Sequence, residues 1–267
     1  MMSNGVGSSR ARTARRAPHP PSQPEGLLLI NKPSGLTSHD VVDVVRRKLN
    51  LRRVGHTGTL DPMAEGLLIV LVGSATRFQH QLQGHDKVYE AVVRFGTQTD
   101  TGDAAGAAIR HAQIPALSKE RLLEVLSSLK GALVQTPPAY SAVKVKGRPA
   151  YWWTRRGESV TLAARRIQLF DMTLLDWTAE SLTCRIHCSP GTYVRVLAET
   201  IAERLGTVGH LSRLVRFGAG PWQLAQAYPL AWVREANPET VARALIPTAS
   251  FLAEAPSLPL CGRDSRA

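Results

Sequence analysis

From Gly55 to Leu68 the chain reads Gly-His-Thr-Gly-Thr-Leu-Asp-Pro-Met-Ala-Glu-Gly-Leu-Leu. Three glycines, a histidine, two threonines and Asp61 thus stand immediately before an apolar run. Glycine lets a backbone approach a ligand closely. The Asp-Pro step drives Asp61 out of the helical region. A carboxylate held in such a loop can act as a nucleophile. The same residues also suit a capped turn in which Asp61 only accepts backbone N–H bonds, and composition alone does not choose.

Two other stretches carry chemistry. Residues 138–165 interleave Tyr140, Tyr151, Trp152 and Trp153 with Lys144, Lys146, Arg148, Arg155 and Arg156. Aromatic and basic residues together suit stacking on bases plus contact with phosphates; a surface loop with a small core of its own is the plainer alternative. Residues 96–106 form a loop rich in Thr, Asp and Gly, and such loops lie at surfaces and often carry function. No His, Asp and Glu cluster has the spacing of metal ligands, so neither metal nor other cofactor is expected.

The elements that must position these residues follow from periodicity. Residues 27–30 and 67–72 are apolar runs expected to be buried strands. Thr37 and Ser38 can cap a helix that places Val41, Val42, Val45 and Leu49 on one face. Residues 87–95 alternate, with Tyr89, Ala91, Val93 and Phe95 on one side. A helix is expected over residues 118–130, strands over 166–175 and 182–188, and a helix from about 193 to 205 that stops at Gly206. Strands and helices alternate irregularly, with several neighbouring strands able to pair antiparallel. The expected class is α+β, a mixed and largely antiparallel sheet flanked by helices.

Among the 267 residues, 33 are Lys or Arg and 21 are Asp or Glu, a formal net charge of +12. That balance points to a polyanionic partner, most often nucleic acid. Hydrophobic residues make up 43%, enough for a sizeable core. No apolar run approaches the ~20 residues of a membrane span, so no membrane association is expected. Cys184 and Cys188 stand four residues apart on an expected strand, roughly 13 Å, and cannot pair with each other. A reducing, cytoplasmic setting is expected. Residues 1–25, with Arg10, Arg12, Arg15 and Arg16, are expected to be a disordered basic tail, and residues 253–267 a short tail without a further RNA-binding domain.

The run from Gly55 to Leu68 closely resembles the signature of the TruB family of tRNA pseudouridine-55 synthases. Leu-Leu-Ile-Asn-Lys-Pro-Ser-Gly, ending at Gly35, resembles the family's opening motif, and Lys87-Val88-Tyr89 its second. Thr-Asp-Thr-Gly-Asp-Ala-Ala-Gly, ending at Gly106, resembles its acidic loop. Pro-Ala-Tyr-Ser-Ala-Val-Lys, ending at Lys144, and Gly191-Thr-Tyr-Val-Arg195 follow in the same order. The likeness runs over about residues 26–252 and implies one pseudouridine synthase catalytic domain, with the stretch of about 138–165 as an insertion that closes over RNA. It implies that Asp61 is the nucleophile, Arg195 its ionic partner and Tyr89 the ring that stacks on the flipped uracil. Tyr193 and Leu214 would line the pocket. His56 would hold the RNA loop or the flipped base, and Asp103 would be a supporting polar contact. Lys32 and Lys144 would meet phosphate or form site wall. The partner implied is the T-arm of tRNA, with no obligate protein partner. A related alternative is the catalytic subunit of a guide-RNA particle, and one from a different class is a non-catalytic RNA-binding or RNA-folding module. Two positions depart from the family's pattern: Pro190 stands where a basic residue is usual, and Leu214-Val215-Arg216 replaces Leu-Arg-Arg.

Overall fold

The structure is a computed structural model that describes residues 23–253. The basic tail expected over residues 1–25 lies, except for its last three residues, outside the described residues. So do Cys261 and the tail beyond residue 253.

The chain begins with β1 (Gly26–Lys32), α1 (Ser38–Lys48), β2 (Val54–His56) and β3 (Glu65–Val72). It continues through α2 (Gln79–Gln83), β4 (Lys87–Phe95), β5 (Thr97–Thr99), β6 (Ala108–His111), α3 (Lys119–Ser128) and β7 (Gly131–Gln135). A small hairpin of β8 (Lys144–Val145) and β9 (Arg148–Pro149) leads into α4 (Ala150–Thr154). The long pair β10 (Arg165–Trp177) and β11 (Ser181–Cys188) is followed by α5 (Val194–Arg204), β12 (Gly209–Ala219), β13 (Trp222–Gln223) and β14 (Tyr228–Pro229). Three short helices, α6 (Leu230–Glu235), α7 (Pro238–Arg243) and α8 (Thr248–Ala253), end the described chain.

One sheet organises the molecule, in the order β14-β1-β3-β12-β4-β11-β10-β7, with β2 on β3 and β13 on β12. Its pairs are antiparallel except β1 with β14 and β3 with β12. This is the mixed, largely antiparallel sheet expected from the sequence. β1 and β3 are apolar almost throughout because both of their faces are covered. Leu28, Ile30, Leu68 and Val70 face the main core with α1, α3 and α5, while Leu27, Leu29, Leu67 and Ile69 face a second cluster around Trp222 and Phe251. β4 alternates because only its Tyr89, Ala91, Val93 and Phe95 side enters the core. Helix α1 starts at a reciprocal cap in which Thr37 and Asp40 satisfy each other's backbone N–H.

Two features differ from expectation. The loop expected over residues 96–106 contains β5, which pairs with β6 just beyond it, so only the turn between the two strands is irregular. And β12, at the centre of the sheet, has no clean alternation in sequence. Its register against β4 shifts between Leu211 and Arg213 and again between Arg216 and Gly218. Each shift changes which side chains face which way, which erases the period of two.

Candidate active site

The loop that carries Asp61 joins β2 to β3 and is held from three sides. Ser38, at the start of α1, accepts from the Leu60 amide at 2.8 Å and donates to the Leu60 carbonyl at 3.1 Å. Lys32, fully buried at the end of β1, donates its amine to the carbonyls of Pro33, Leu36 and Pro62 at 3.0, 2.6 and 3.3 Å. From β12, Arg216 donates through Nε to Leu67 O at 2.6 Å and through Nη2 to Gly58 O at 3.3 Å. Burial lowers the Lys32 pKa to about 8.

Arg195 lies in the first turn of α5 and is 4% exposed. Its Nε donates to Asp61 Oδ2 at 2.9 Å and its Nη2 reaches Asp61 Oδ1 at 3.4 Å. The same guanidinium donates to Thr101 O at 2.7 Å and Tyr140 O at 2.8 Å. One side chain therefore ties together the Asp61 loop, the turn between β5 and β6, and the start of the insertion. A two-point guanidinium–carboxylate contact fixes orientation as well as charge. Burial pushes the Asp61 carboxyl up, Arg195 opposes that, and Asp103 adds to it as a second negative charge. Asp103 accepts from Thr101 Oγ1 at 2.7 Å and from the Ala105 amide at 3.1 Å, which shapes the turn.

Asp61 opens into a cleft of 490 Å³ whose walls include Tyr89, Tyr193, Arg195 and Leu214. Tyr89 is 8% exposed, so its ring belongs both to the core and to the wall of the cleft. Arg216 stands opposite it across the β12–β4 pairing, its positive charge near the phenol. Burial raises the phenol's pKa, and Arg216 works against that. Tyr193 caps α5, and Gln135, at the end of β7, clamps its backbone: the Tyr193 amide donates to Oε1 at 3.0 Å and Nε2 donates to the Tyr193 carbonyl at 3.3 Å.

Of the residues singled out in the sequence, the structure thus brings Asp61, Tyr89, Tyr193, Arg195 and Leu214 to one cleft, with Asp103 behind Arg195. His56, Lys32 and Lys144 do not line it. His56 turns inward on β2, where its Nδ1 accepts from the Gly58 amide at 3.3 Å. Burial and the nearby Arg216 lower its pKa to about 4, so it is neutral at physiological pH. Lys144 is exposed on β8. In the insertion, Arg148 and Arg156 lie over the Trp152 ring and Arg155 over Tyr151.

Sequence reasoning passed over four residues. Arg216 follows Leu214 by two positions, and Lys87 shares the face of Tyr89; both line the cleft. Lys87 donates to the carbonyls of Gln83 and His85, and burial together with Arg216 lowers its pKa to about 8. The period of two placed Lys87 on that face already. Gln135 and Arg165 carry no local signal, because cross-strand pairing brings them to Tyr193. Among the described residues, no three His, Cys, Asp or Glu side chains stand together as metal ligands.

The arrangement is a fixed, ionisable carboxylate beside an aromatic wall in a cleft rich in cations. Comparison with known proteins shows the family. A family model described as TruB family pseudouridylate synthase (N terminal domain) matches residues 46–194. A protein named tRNA pseudouridine synthase B from Chromohalobacter salexigens is 40% identical over 91% of this chain and 79% of its own. One of the same name from Geobacillus thermodenitrificans is 44% identical over 87% and 80%. A solved chain in the crystal structure of a Cbf5-Nop10-Gar1 complex superposes with a TM-score of 0.64 at 26% identity, covering 83% of this chain and 60% of that one.

Proposed function

The chain belongs to the TruB family of pseudouridylate synthases, and we propose that it isomerises one uridine in the T-arm loop of tRNA, with Asp61 as nucleophile. The observation that carries this reading is the two-point contact between Arg195 and Asp61 at the edge of a cleft walled by Tyr89. Relatives at 40% and 44% identity bear the name tRNA pseudouridine synthase B, which supports tRNA as the substrate.

The chemistry asks for what the cleft offers. The uridine leaves its stack and its base lies against Tyr89. The N1–C1′ bond breaks, the uracil turns, the C5–C1′ bond forms, and the C5 hydrogen departs as a proton. Asp61 must be ionised to begin, and Arg195 holds it so against the cost of burial. Tyr193 and Leu214 bound the space in which the base turns. Residues 26–252 form the catalytic unit on this reading, and the insertion at about 138–165 lies over the RNA arm, its Trp152 and Tyr151 faces covered by arginines. The protein works without an obligate protein partner and in the cytoplasm. No helix among the described residues is long and apolar enough to cross a membrane.

The test is to incubate the protein with an unmodified tRNA transcript and map pseudouridine chemically. One pseudouridine in the T loop is expected. A product elsewhere, or none, would overturn the assignment.

A further inference from the structure

Four cations line the cleft, and three are committed to protein oxygens. Arg195 binds Asp61, Thr101 O and Tyr140 O. Arg216 binds Leu67 O and Gly58 O. Lys87 binds Gln83 O and His85 O. Arg165 is different: among the described residues its guanidinium makes no hydrogen bond and no ion pair, and its contact is with the Tyr193 ring.

Arg165 is nevertheless held in place. It pairs with Gln135 across β10 and β7, and Gln135 clamps the backbone of Tyr193. The Arg165 guanidinium carbon lies 5.3 Å from the centroid of the Tyr193 ring. Gly191 is also close by: a Cβ there would stand 3.4 Å from Arg165 Nη1. A guanidinium that stacks on a ring keeps its in-plane N–H donors free. The turn beside it, Ser189-Pro190-Gly191-Thr192, brings no charge of its own. The cleft therefore presents one ordered fork of donors with no protein acceptor, next to Tyr193 in its wall.

We propose that Arg165 is the phosphate anchor of this cleft, binding the RNA phosphodiester that flanks the uridine entering past Tyr193. The proposal rests on the RNA reading above. A fork of this geometry matches two phosphate oxygens, and such contacts set the position of the strand without reading a base. Its neighbour Arg166 points to the other face of β10 and is exposed, so it supplies an internal control of equal charge.

The experiment uses the full chain and a T-arm hairpin. C5-hydrogen release by the wild type is measured first; its absence would overturn the pseudouridine reading whatever Arg165 does. Binding of the hairpin is then titrated against salt for wild type, Arg165→Gln, Arg165→Lys and Arg166→Gln. Arg165→Gln is expected to bind about tenfold more weakly, with a log–log salt slope smaller by about 0.7, the contribution of one single-strand phosphate contact. At saturating RNA its single-turnover rate should fall by less than its affinity does. Arg165→Lys keeps the charge without the fork and should lie between; it also serves as the test variant if the glutamine form does not fold. A hairpin carrying a neutral methylphosphonate beside the target uridine should bind wild type about tenfold more weakly and Arg165→Gln no more weakly than the natural hairpin. Unchanged binding in Arg165→Gln, an equal loss in Arg166→Gln, or losses from variant and methylphosphonate that multiply would each overturn the anchor and leave the catalytic assignment standing.

Discussion

Asp103 Oδ2 lies 3.7 Å from Arg195 Nε, the nitrogen that also donates to Asp61. One guanidinium thus answers two carboxylates, and Asp61 feels both. On the proposed function the ionised Asp61 carboxylate is the active form, so the rate is expected above the Asp61 pKa and lost as pH falls through it. Because burial and Asp103 raise that pKa, the acid limb should lie above the ordinary value of 3.8. Asp103→Asn removes one raising influence and should move the limb to lower pH. Arg195→Gln removes the lowering influence and should move it up while slowing the reaction. Single-turnover rates against pH give the sign directly, and an upward move in Asp103→Asn would contradict this account.

Tyr89 has two parts with separable roles. On the proposed function the ring supplies a stacking face worth about 1–3 kcal/mol for a base, while the phenol stands opposite Arg216 across the sheet. Tyr89→Phe should bind RNA as wild type does, whereas Tyr89→Leu should lose most of the stacking energy. Titration of both with a T-arm hairpin checks this. Wild-type binding and rate in the leucine form would reduce Tyr89 to a core residue.

Gly66 opens β3 at φ +101, and a Cβ there would stand 2.4 Å from Arg216 O and 2.7 Å from Arg216 N. This is the point where β3 and β12 pair, and both contacts are backbone that cannot rotate away. Gly66→Ala should cost about 2–5 kcal/mol from backbone strain and overlap together, read as a lower midpoint of denaturation.

Lys32 is placed to hold the Asp61 loop, because its amine is spent on three carbonyls. Lys32→Met should destabilise the fold by about 1–3 kcal/mol for a carbonyl left without a donor, and leave the salt dependence of RNA binding unchanged. The pKa of Lys32 is depressed from 10.5 to about 8, so the unfolded chain binds its proton more readily. Its linked stability is present above the unfolded value and lost as pH falls through about 8. The stability gap between wild type and Lys32→Met should therefore widen from pH 8 to 10.5.

What could be read from the sequence was what local order encodes. The Thr37 cap, the double-faced apolar runs of β1 and β3 and the alternation of β4 stand in the pattern of neighbouring residues, and the Gly55 to Leu68 run marks Asp61 by its resemblance to a family signature. Residues that depend on pairing between distant strands were not legible. Gln135 reaches Tyr193 only because β7 joins the far edge of the sheet, and Arg216 reaches Tyr89 only because β12 pairs with β4 through two shifts of register. His56 and Lys32 show the opposite case. Their motif marks them, and in the fold both side chains bond the backbone of the Asp61 loop and stand outside the lining of the cleft.

The central claim is that Asp61 performs the bond exchange at C1′. Forming the C5–C1′ bond must expel the C5 hydrogen, so its release from tRNA labelled at that position reads the chemistry without product mapping. Wild type should release the label, while Asp61→Asn, which keeps the shape and loses the carboxylate, should bind the same tRNA and release none. Release by Asp61→Asn within tenfold of the wild-type rate would contradict the account.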